Sequence, residues 1–279
     1  IPHKWTFSAR SVTGRAGVRR KKPEGQVRGP DHRDKFSTLD SESPSTMLSR
    51  RHMEIVRAVR EAGVVGAGGA GFPAHVKLEA DAEYVLANGA ECEPLLHKDA
   101  ELTEVYADQV LRGMEFSMQA TGADKAIFGI KAKRTRAVAI LEEATDSKKI
   151  KVQLFDDYYP AGDEFVLVYE CTGRLIPPGG IPLQVGTVVH NSETLYNIAE
   201  AVEGRSVTRK ILTIAGEVAT PMSMAVPVGI TLQETIDIAG GATTRDYSVF
   251  VGGLMMGKLV EDLSQPVTKT TGGLIVLHF

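Results

Sequence analysis

Helix and strand patterns alternate between His52 and about Glu203, and this alternation constrains the fold more than any other feature of the 279-residue chain. Short apolar runs rich in β-branched residues predict buried strands, and apolar residues at helical spacing predict helices between them. The strand patterns cover 83–87, 126–130, 151–155 and 187–189, and the helix patterns cover 102–119, 135–143, about 163–169 and the segment after 191. Such alternation predicts an α/β fold with a mainly parallel, Rossmann-like sheet over residues 47–204.

The pattern changes near residue 205, and residues 205–279 are predicted to form a second, smaller domain. Strand patterns at 210–216 and 247–253 flank a short helix at 231–239. Strands around one helix indicate a compact α+β module.

Residues 1–46 are predicted to be a disordered basic extension. Through Arg51 the chain has 12 basic and five acidic residues, whereas the remainder has 20 basic and 30 acidic residues. A polar, charged segment with few apolar side chains cannot bury a core. A transit-like peptide or a nucleic-acid-binding tail is the alternative, because the first 22 residues contain no acid. We favour a dispensable extension, with the folded domain starting near Met47 or Met53.

A glycine-rich loop at 66–71 lies before the first predicted strand and has four glycines in six residues. A loop with so few side chains lets a flat or phosphorylated ligand approach the backbone closely. Lys77 adds a cation within reach. The spacing is neither the GxGxxG of a dinucleotide fingerprint nor that of a P-loop. The loop therefore predicts a nucleotide-like cofactor, with a purely structural loop as the alternative.

Polar residues follow three of the predicted strands. Asn88, Glu91 and Glu93 come after the strand at 83–87, and ligands of open α/β sheets bind at the carboxyl ends of strands. The segments 159–164 and 177–194 repeat the combination of glycine and polar groups. Simpler explanations are that the glutamates face solvent and that the acidic residues of 159–164 favour a helix dipole.

Together these motifs resemble the flavin- and NADH-binding subunit family. It includes the 51 kDa subunit of respiratory NADH dehydrogenase, the C subunit of the Rnf ferredoxin–NAD complex and the microcompartment cobalamin reductase. The resemblance runs from about Glu61 to the C-terminus. The 51 kDa branch has arginine, threonine, tryptophan and aspartate where this chain has Ala67, Ala74, Leu78 and Ala90. These departures favour the branch that contains Rnf C and cobalamin reductase.

The resemblance implies FMN as the cofactor and NADH as the substrate. The glycine loop would cradle FMN, Glu93 would contact the nicotinamide nucleotide, and Phe72 would stack near the nicotinamide. Glu164 and Glu91 are the candidate catalytic residues. The residues implied in cofactor binding are Gly66, Gly68, Gly69, Gly71, Phe72, Lys77, Asn88, Glu91, Glu93, Tyr159, Gly162, Asp163, Glu164, His190, Asn191 and Thr194.

The implied reaction is hydride transfer from NADH to FMN, followed by relay of electrons to an iron–sulfur partner. The cofactors carry the difficult step, so no Ser-His-Asp set and no metal site is required or predicted. The two cysteines, Cys92 and Cys171, are too few for the four thiolates of a 4Fe–4S cluster. Clusters are therefore expected only in a partner or in a missing segment, and the stop within a strand-like run at 273–279 predicts a truncated chain.

The cysteine usage and the lack of an apolar run of about 20 residues predict a soluble cytoplasmic protein. It would associate with a membrane complex or a corrinoid through partners, or lie inside a microcompartment, and no nucleic-acid partner is predicted.

The resemblance implies a soluble-ligand-binding β-grasp domain after residue 205. Its loop 252–257 would be a second ligand loop or, as we favour, a turn with Met255 and Met256 packed inward. A non-catalytic scaffold with a degenerate flavin site is the competing function, because Ala67 and His190 depart from the family pattern.

Overall fold

A computed structural model of the protein describes residues 44–145 and 149–278, with side chains from residue 50 onward. The predicted extension at 1–46 lies outside the described residues except for its last three, which belong to the first helix. The elements in chain order are α1 (Pro44–Glu61), α2 (Ala74–Leu78), β1 (Tyr84–Gly89), α3 (Lys98–Thr121), β2 (Lys125–Lys131), α4 (Thr135–Thr145), β3 (Ile150–Phe155), α5 (Glu164–Thr172), a 3₁₀ turn (Pro182–Val185), β4 (Thr187–Asn191), α6 (Ser192–Val202), β5 (Arg209–Gly216), β6 (Met222–Pro227), α7 (Leu232–Ile238), β7 (Tyr247–Val251), β8 (Lys258–Val260) and β9 (Gly273–His278).

The large domain, residues 44–202, contains a parallel sheet with the strand order β3-β2-β1-β4. Helices cover both faces of this sheet. Val85 and Ala87 join a core with apolar residues of α1, α3, α4 and α6, whereas Leu86 packs on the other face with Leu167 of α5. Strands buried on both faces explain the nearly continuous apolar runs in the sequence. The predicted α/β fold with a parallel sheet is confirmed.

The helices α3 and α6 pack against each other closely at Gly113. A Cβ atom at this glycine would lie 2.0 Å from the Leu195 carbonyl oxygen. The absence of a side chain therefore sets the distance between the two helices, and α6 begins at the edge of the sheet where β4 ends.

The small domain, residues 209–278, contains a mixed sheet with the order β6-β5-β9-β7-β8. The strand β9 lies in the centre, parallel to β5 and antiparallel to β7. Leu212, Leu232 and Ile236 belong to a core between this sheet and α7, whereas Ile211 belongs to the core of the large domain. The small domain is thus packed against the large one through β5.

The helix α7 has a capping box, in which Thr231 accepts from the Glu234 amide and the Glu234 carboxylate accepts from the Thr231 amide. No helix among the described residues combines the length and the apolar character that crossing a membrane requires.

Candidate functional site

A cavity of about 210 Å³ lies at the carboxyl ends of β1 and β4. The chain passes from β1 to β2 and β3 on one side of β1 and returns to place β4 on the other side. Ligands of open α/β sheets bind at such a switch point. The cavity is lined by Gly66, Gly68, Ala70, Phe72, Ala74, Lys77, Asn88, Gly162, Glu164, Val189, His190, Asn191 and Thr194.

The glycine loop at 66–71 forms one wall of the cavity and is closed by its own backbone. The Gly66 amide donates to the Phe72 carbonyl over 2.8 Å, and the Gly71 amide donates to the Gly66 carbonyl over 3.2 Å. Gly69 and Gly71 have φ angles of 124° and 68°. These angles favour glycine, because a Cβ atom would be strained there.

The loop is anchored at Ala67 and presents unpaired amides just after it. The Ala67 amide donates to the Thr194 hydroxyl of α6 over 2.9 Å, and this bond is buried. The amides of Gly68, Gly69 and Ala70 donate to no acceptor among the described residues. Consecutive unpaired amides beside a helix N-terminus provide hydrogen-bond donors and a positive potential for an anion.

Lys77 contacts Glu164, another predicted site residue, which is distant in the sequence. Its Nζ donates to the Glu164 carboxylate over 3.2 Å and to the Val189 carbonyl over 2.8 Å. The ammonium also lies 5.6 Å from the centre of the Phe72 ring. A cation, a carboxylate and an aromatic ring therefore meet at one side of the cavity.

Gly162 forms the opposite wall and leaves no room for a side chain. A Cβ atom there would lie 2.2 Å from the Ala90 carbonyl oxygen. The Gly162 carbonyl accepts from the Asn88 side chain over 2.8 Å, and its amide donates to the Cys92 sulfur over 2.8 Å. Both Cys92 and Cys171 are free thiols.

His190 and Asn191 end β4 at the cavity. His190 is buried and its Nε2 has no hydrogen-bond partner among the described residues. Burial, followed by the charge of Lys77, lowers the pKa of His190 to about 3, so the imidazole is neutral at physiological pH. Asn191 caps α6 by accepting from the Glu193 amide and also donates to Asp99 over 2.8 Å.

Glu91 is not brought to the cavity wall. Its carboxylate is buried, and the Arg134 guanidinium is 3.8 Å away. Burial and the charge of Asp99 raise the pKa of Glu91 to about 8, although Lys98 and Arg134 oppose the shift.

Glu93 also lies outside the cavity lining, because the small domain holds its carboxylate. The oxygens accept from the amides of Met255 and Met256 over 2.9 and 2.8 Å. The prediction that these methionines pack inward is wrong, since their side chains are 55% and 79% exposed. The loop instead turns its amides toward Glu93, and a Cβ atom at Gly253 would lie 2.2 Å from that carboxylate.

Four further predicted site residues do not line the cavity: Gly69, Gly71, Tyr159 and Asp163. Tyr159 is 50% exposed. Asp163 accepts from the amides of Phe165 and Val166 and thereby caps α5, which agrees with the helix-dipole explanation.

Sequence reasoning missed a buried cluster of charges behind the glycine loop. It consists of Lys98, Asp99, Glu193 and Lys210, and each of these side chains is at most 8% exposed. In the sequence, three of these residues, Lys98, Asp99 and Glu193, resemble the charged residues that are common in the first turn of a helix. Lys210 resembles an ordinary residue near the start of a strand. Because the adjacent pair Lys98 and Asp99 is far from Glu193 and Lys210 along the chain, the sequence gave no signal that the four residues meet.

Two family matches divide the chain in the same order as its two domains. Residues 59–200 match the Nuo51 FMN-binding domain family, and residues 211–259 match the SLBB domain family.

Curated relatives share much of this sequence. Cobalamin reductase PduS of Citrobacter freundii is 49% identical over 220 residues, which are 78% of this chain and 49% of the relative. The C subunit of the proton-translocating ferredoxin:NAD(+) oxidoreductase complex of Clostridium ljungdahlii is 35% identical over 230 residues, or 80% of this chain and 50% of the relative. The chain thus spans about half the length of these relatives.

A solved structure has a similar fold. The crystal structure of NAD+-reducing [NiFe]-hydrogenase in the H2-reduced state contains a chain that is 27% identical, with a TM-score of 0.71. The match covers 83% of this chain and 48% of the hydrogenase chain.

Proposed function

Because the chain belongs to the Nuo51 FMN-binding domain family, we propose that it binds FMN at the sheet-end cavity and oxidises NADH there. The observation that carries the proposal is the wall of this cavity, where unpaired backbone amides, a cation and wall glycines converge. The names of the Clostridium ljungdahlii relative and of the hydrogenase both contain NAD, which supports a nicotinamide nucleotide as the partner substrate.

The cavity wall fits FMN in shape and in polarity. Gly66, Gly68 and Gly162 leave its sides without Cβ atoms, which suits a flat ring system. The unpaired amides of Gly68 and Ala70, which line the cavity, and the N-terminus of α6 suit a phosphate. The unpaired Nε2 of neutral His190 suits a polar group of the same ligand.

FMN, when bound, supplies a hydride acceptor that can afterwards release its electrons singly. The chain's own residues bind and orient the reactants. Lys77, fixed by Val189 and Glu164, contributes positive charge beside the flavin. Glu164, which lines the cavity, would orient the nicotinamide, and Phe72, which is 41% exposed, would provide an aromatic surface for it.

The remaining predicted residues act less directly. Glu91 does not line the cavity, and its role is to influence the flavin through its protonation state, because its pKa of about 8 lies near physiological pH. Glu93 contributes to nucleotide binding through the loop 252–257 that holds its carboxylate. Asn191 and Thr194 support the phosphate end of the site.

Electrons leave this chain for an iron–sulfur centre in a partner or in a further segment of the protein. Two cysteines cannot hold a 4Fe–4S cluster, so the acceptor must be supplied from outside these 279 residues. We place the boundary between the two folded domains between residues 204 and 205 and the protein in the cytoplasm.

An anaerobic titration tests the proposal. The full chain is reconstituted with FMN, and NADH is added while the visible flavin absorbance is followed. We expect FMN to bind and the flavin band to bleach at about one NADH per flavin. A chain that binds no FMN, or a bound flavin that NADH does not reduce, would contradict the proposal.

The variant Glu164→Gln assigns the role of this carboxylate. It should slow flavin reduction by NADH at least about tenfold while FMN affinity stays within about twofold. The matched control is Glu143→Gln, which changes an exposed glutamate of α4. An unchanged reduction rate in Glu164→Gln would remove Glu164 from the mechanism.

A further inference from the structure

Two lysines from different domains share one buried carboxylate. Lys98 of α3 lies 3.1 Å and Lys210 of β5 lies 2.5 Å from the same oxygen of Glu193. Lys98 also pairs with Asp99 over 2.6 Å. The other oxygen of Glu193 accepts from the Ile211 amide over 2.9 Å. The cluster therefore ties the start of α6 to the first strand of the small domain.

Lys210 also reaches the glycine loop. Its Nζ donates to the Ala67 carbonyl over 3.0 Å, while the Ala67 amide donates to Thr194 over 2.9 Å. The carbonyl of Ala67 and the amide of Gly68 belong to one planar trans peptide group, in which they point in opposite directions. Holding this carbonyl on Lys210 therefore directs the Gly68 amide away from Lys210, and Gly68 lines the cavity.

The small domain touches the same loop region at two more places. Lys269 donates to the Gly63 carbonyl over 2.6 Å, just before the loop. At the end of the loop, a Cβ atom at Gly71 would lie 3.0 Å from the Thr270 methyl group. The small domain thus donates hydrogen bonds to the backbone at Gly63 and Ala67, ahead of the unpaired amides, and Thr270 lies close to the end of the loop.

Burial makes the charged form of Lys210 energetically unfavourable at this position. Burial lowers its pKa to about 8; Glu193 opposes the shift and Lys98 adds to it. Among the described residues, Lys98 forms ion pairs with Asp99 and Glu193, whereas Lys210 forms an ion pair with Glu193. A buried ion pair is weak evidence for stability, and its best-attested use is to select one arrangement of the chain. An apolar residue would fill this position at lower cost if packing were the only requirement.

We propose that Lys210 is a positioning residue that aligns the glycine loop for the phosphate of the flavin, so that the small domain completes the cofactor site of the large one. The inference rests on the proposed function. The side chain acts through the Ala67 peptide group and does not contact the ligand.

Comparing FMN with riboflavin tests this role, because riboflavin has the same ring system but no phosphate. Dissociation constants are measured by flavin fluorescence for wild type, Lys210→Met and the control Lys258→Met, which changes an exposed lysine of the same sheet. We expect Lys210→Met to weaken FMN binding at least about tenfold and riboflavin binding less than about twofold. Lys258→Met should match wild type for both ligands.

Equal losses for FMN and riboflavin in Lys210→Met would show a merely structural role and overturn the inference, as would no loss at all. If wild type itself binds no FMN, the proposed function fails instead. Thermal unfolding checks that Lys210→Met is folded. Should it not fold, Lys210→Gln replaces it, because glutamine keeps a polar donor without the charge, and the same selective loss of FMN affinity is required.

Discussion

The buried carboxyl of Glu91 should make the stability of the flavin-free protein depend on pH, and Glu91→Gln should remove this dependence. The folded chain holds a proton on Glu91 up to a pKa of about 8, whereas the unfolded chain releases it near 4.5. Between these values the folded state binds more protons, so the free energy of unfolding falls as pH rises. Below pH 4.5 both states are protonated, and Glu91 contributes no pH dependence.

The magnitude follows from the same two values. The difference between about 8 and 4.5 corresponds to roughly 5 kcal/mol at about 1.4 kcal/mol per pH unit. This is a ceiling, because local relaxation around a buried charge reduces the cost of ionisation. We therefore expect wild type to lose about 2–3 kcal/mol more than Glu91→Gln between about pH 5 and about pH 8.

Urea unfolding at these two pH values measures the difference. Glutamine leaves a polar amide in the same buried place, and that cost is equal at both pH values. The test is therefore the change of the wild-type-to-variant difference with pH, at unchanged m-values. Glu143→Gln is the exposed control. A wild-type-to-variant difference that is the same at both pH values would refute the reasoning.

Three glycine substitutions test the cofactor site and the helix packing of the core separately. Gly162→Ala should weaken FMN binding at least about tenfold in a fluorescence titration, because its Cβ would lie 2.2 Å from the Ala90 carbonyl; wild-type affinity would contradict the wall geometry. Gly69→Ala meets no neighbouring atom but has a φ of 124°, so urea unfolding should show a loss of about 1–2 kcal/mol together with weakened FMN binding. Retention of FMN at wild-type affinity would argue against the loop. Gly113→Ala should destabilise the chain by about 2–3 kcal/mol in urea, because its Cβ would lie 2.0 Å from the Leu195 carbonyl; a neutral effect would contradict the helix packing.

The fold could be predicted where the evidence is local. The alternating apolar patterns gave β1 to β4 and the parallel sheet, because period and length identify buried strands. Helix α1 and strands β6 and β8 were missed. The strand β6 (Met222–Pro227) contains one β-branched residue, Val226, and ends in proline, so its own strand propensity is low, and it is a strand because β5 pairs with it.

The candidate site, too, could be predicted only where the evidence is local in the sequence. The glycine loop was found because four glycines in six residues let a ligand approach the backbone closely. The β4 end was found because ligands of open α/β sheets bind at the carboxyl ends of strands, and residues of both segments line the cavity. The positions of Glu91 and Glu93 were not predictable from the motif, because the residues around them come from distant segments. Lys210 was missed for this reason, as 143 residues separate it from Ala67.

The central position of β9 in the second sheet bears on how the chain is synthesised. The strand β5 emerges from the ribosome long before β9, its parallel neighbour, and until then only the antiparallel neighbour β6 is available to it. Pairing over such a sequence distance closes a long loop and is slow compared with hairpin formation. The strand that bears Lys210 thus acquires its full set of neighbours only when residues 273–278 are added. The glycine loop is translated about 200 residues earlier, but its surroundings are complete only after residues 273–278 have been added and β9 has paired with β5.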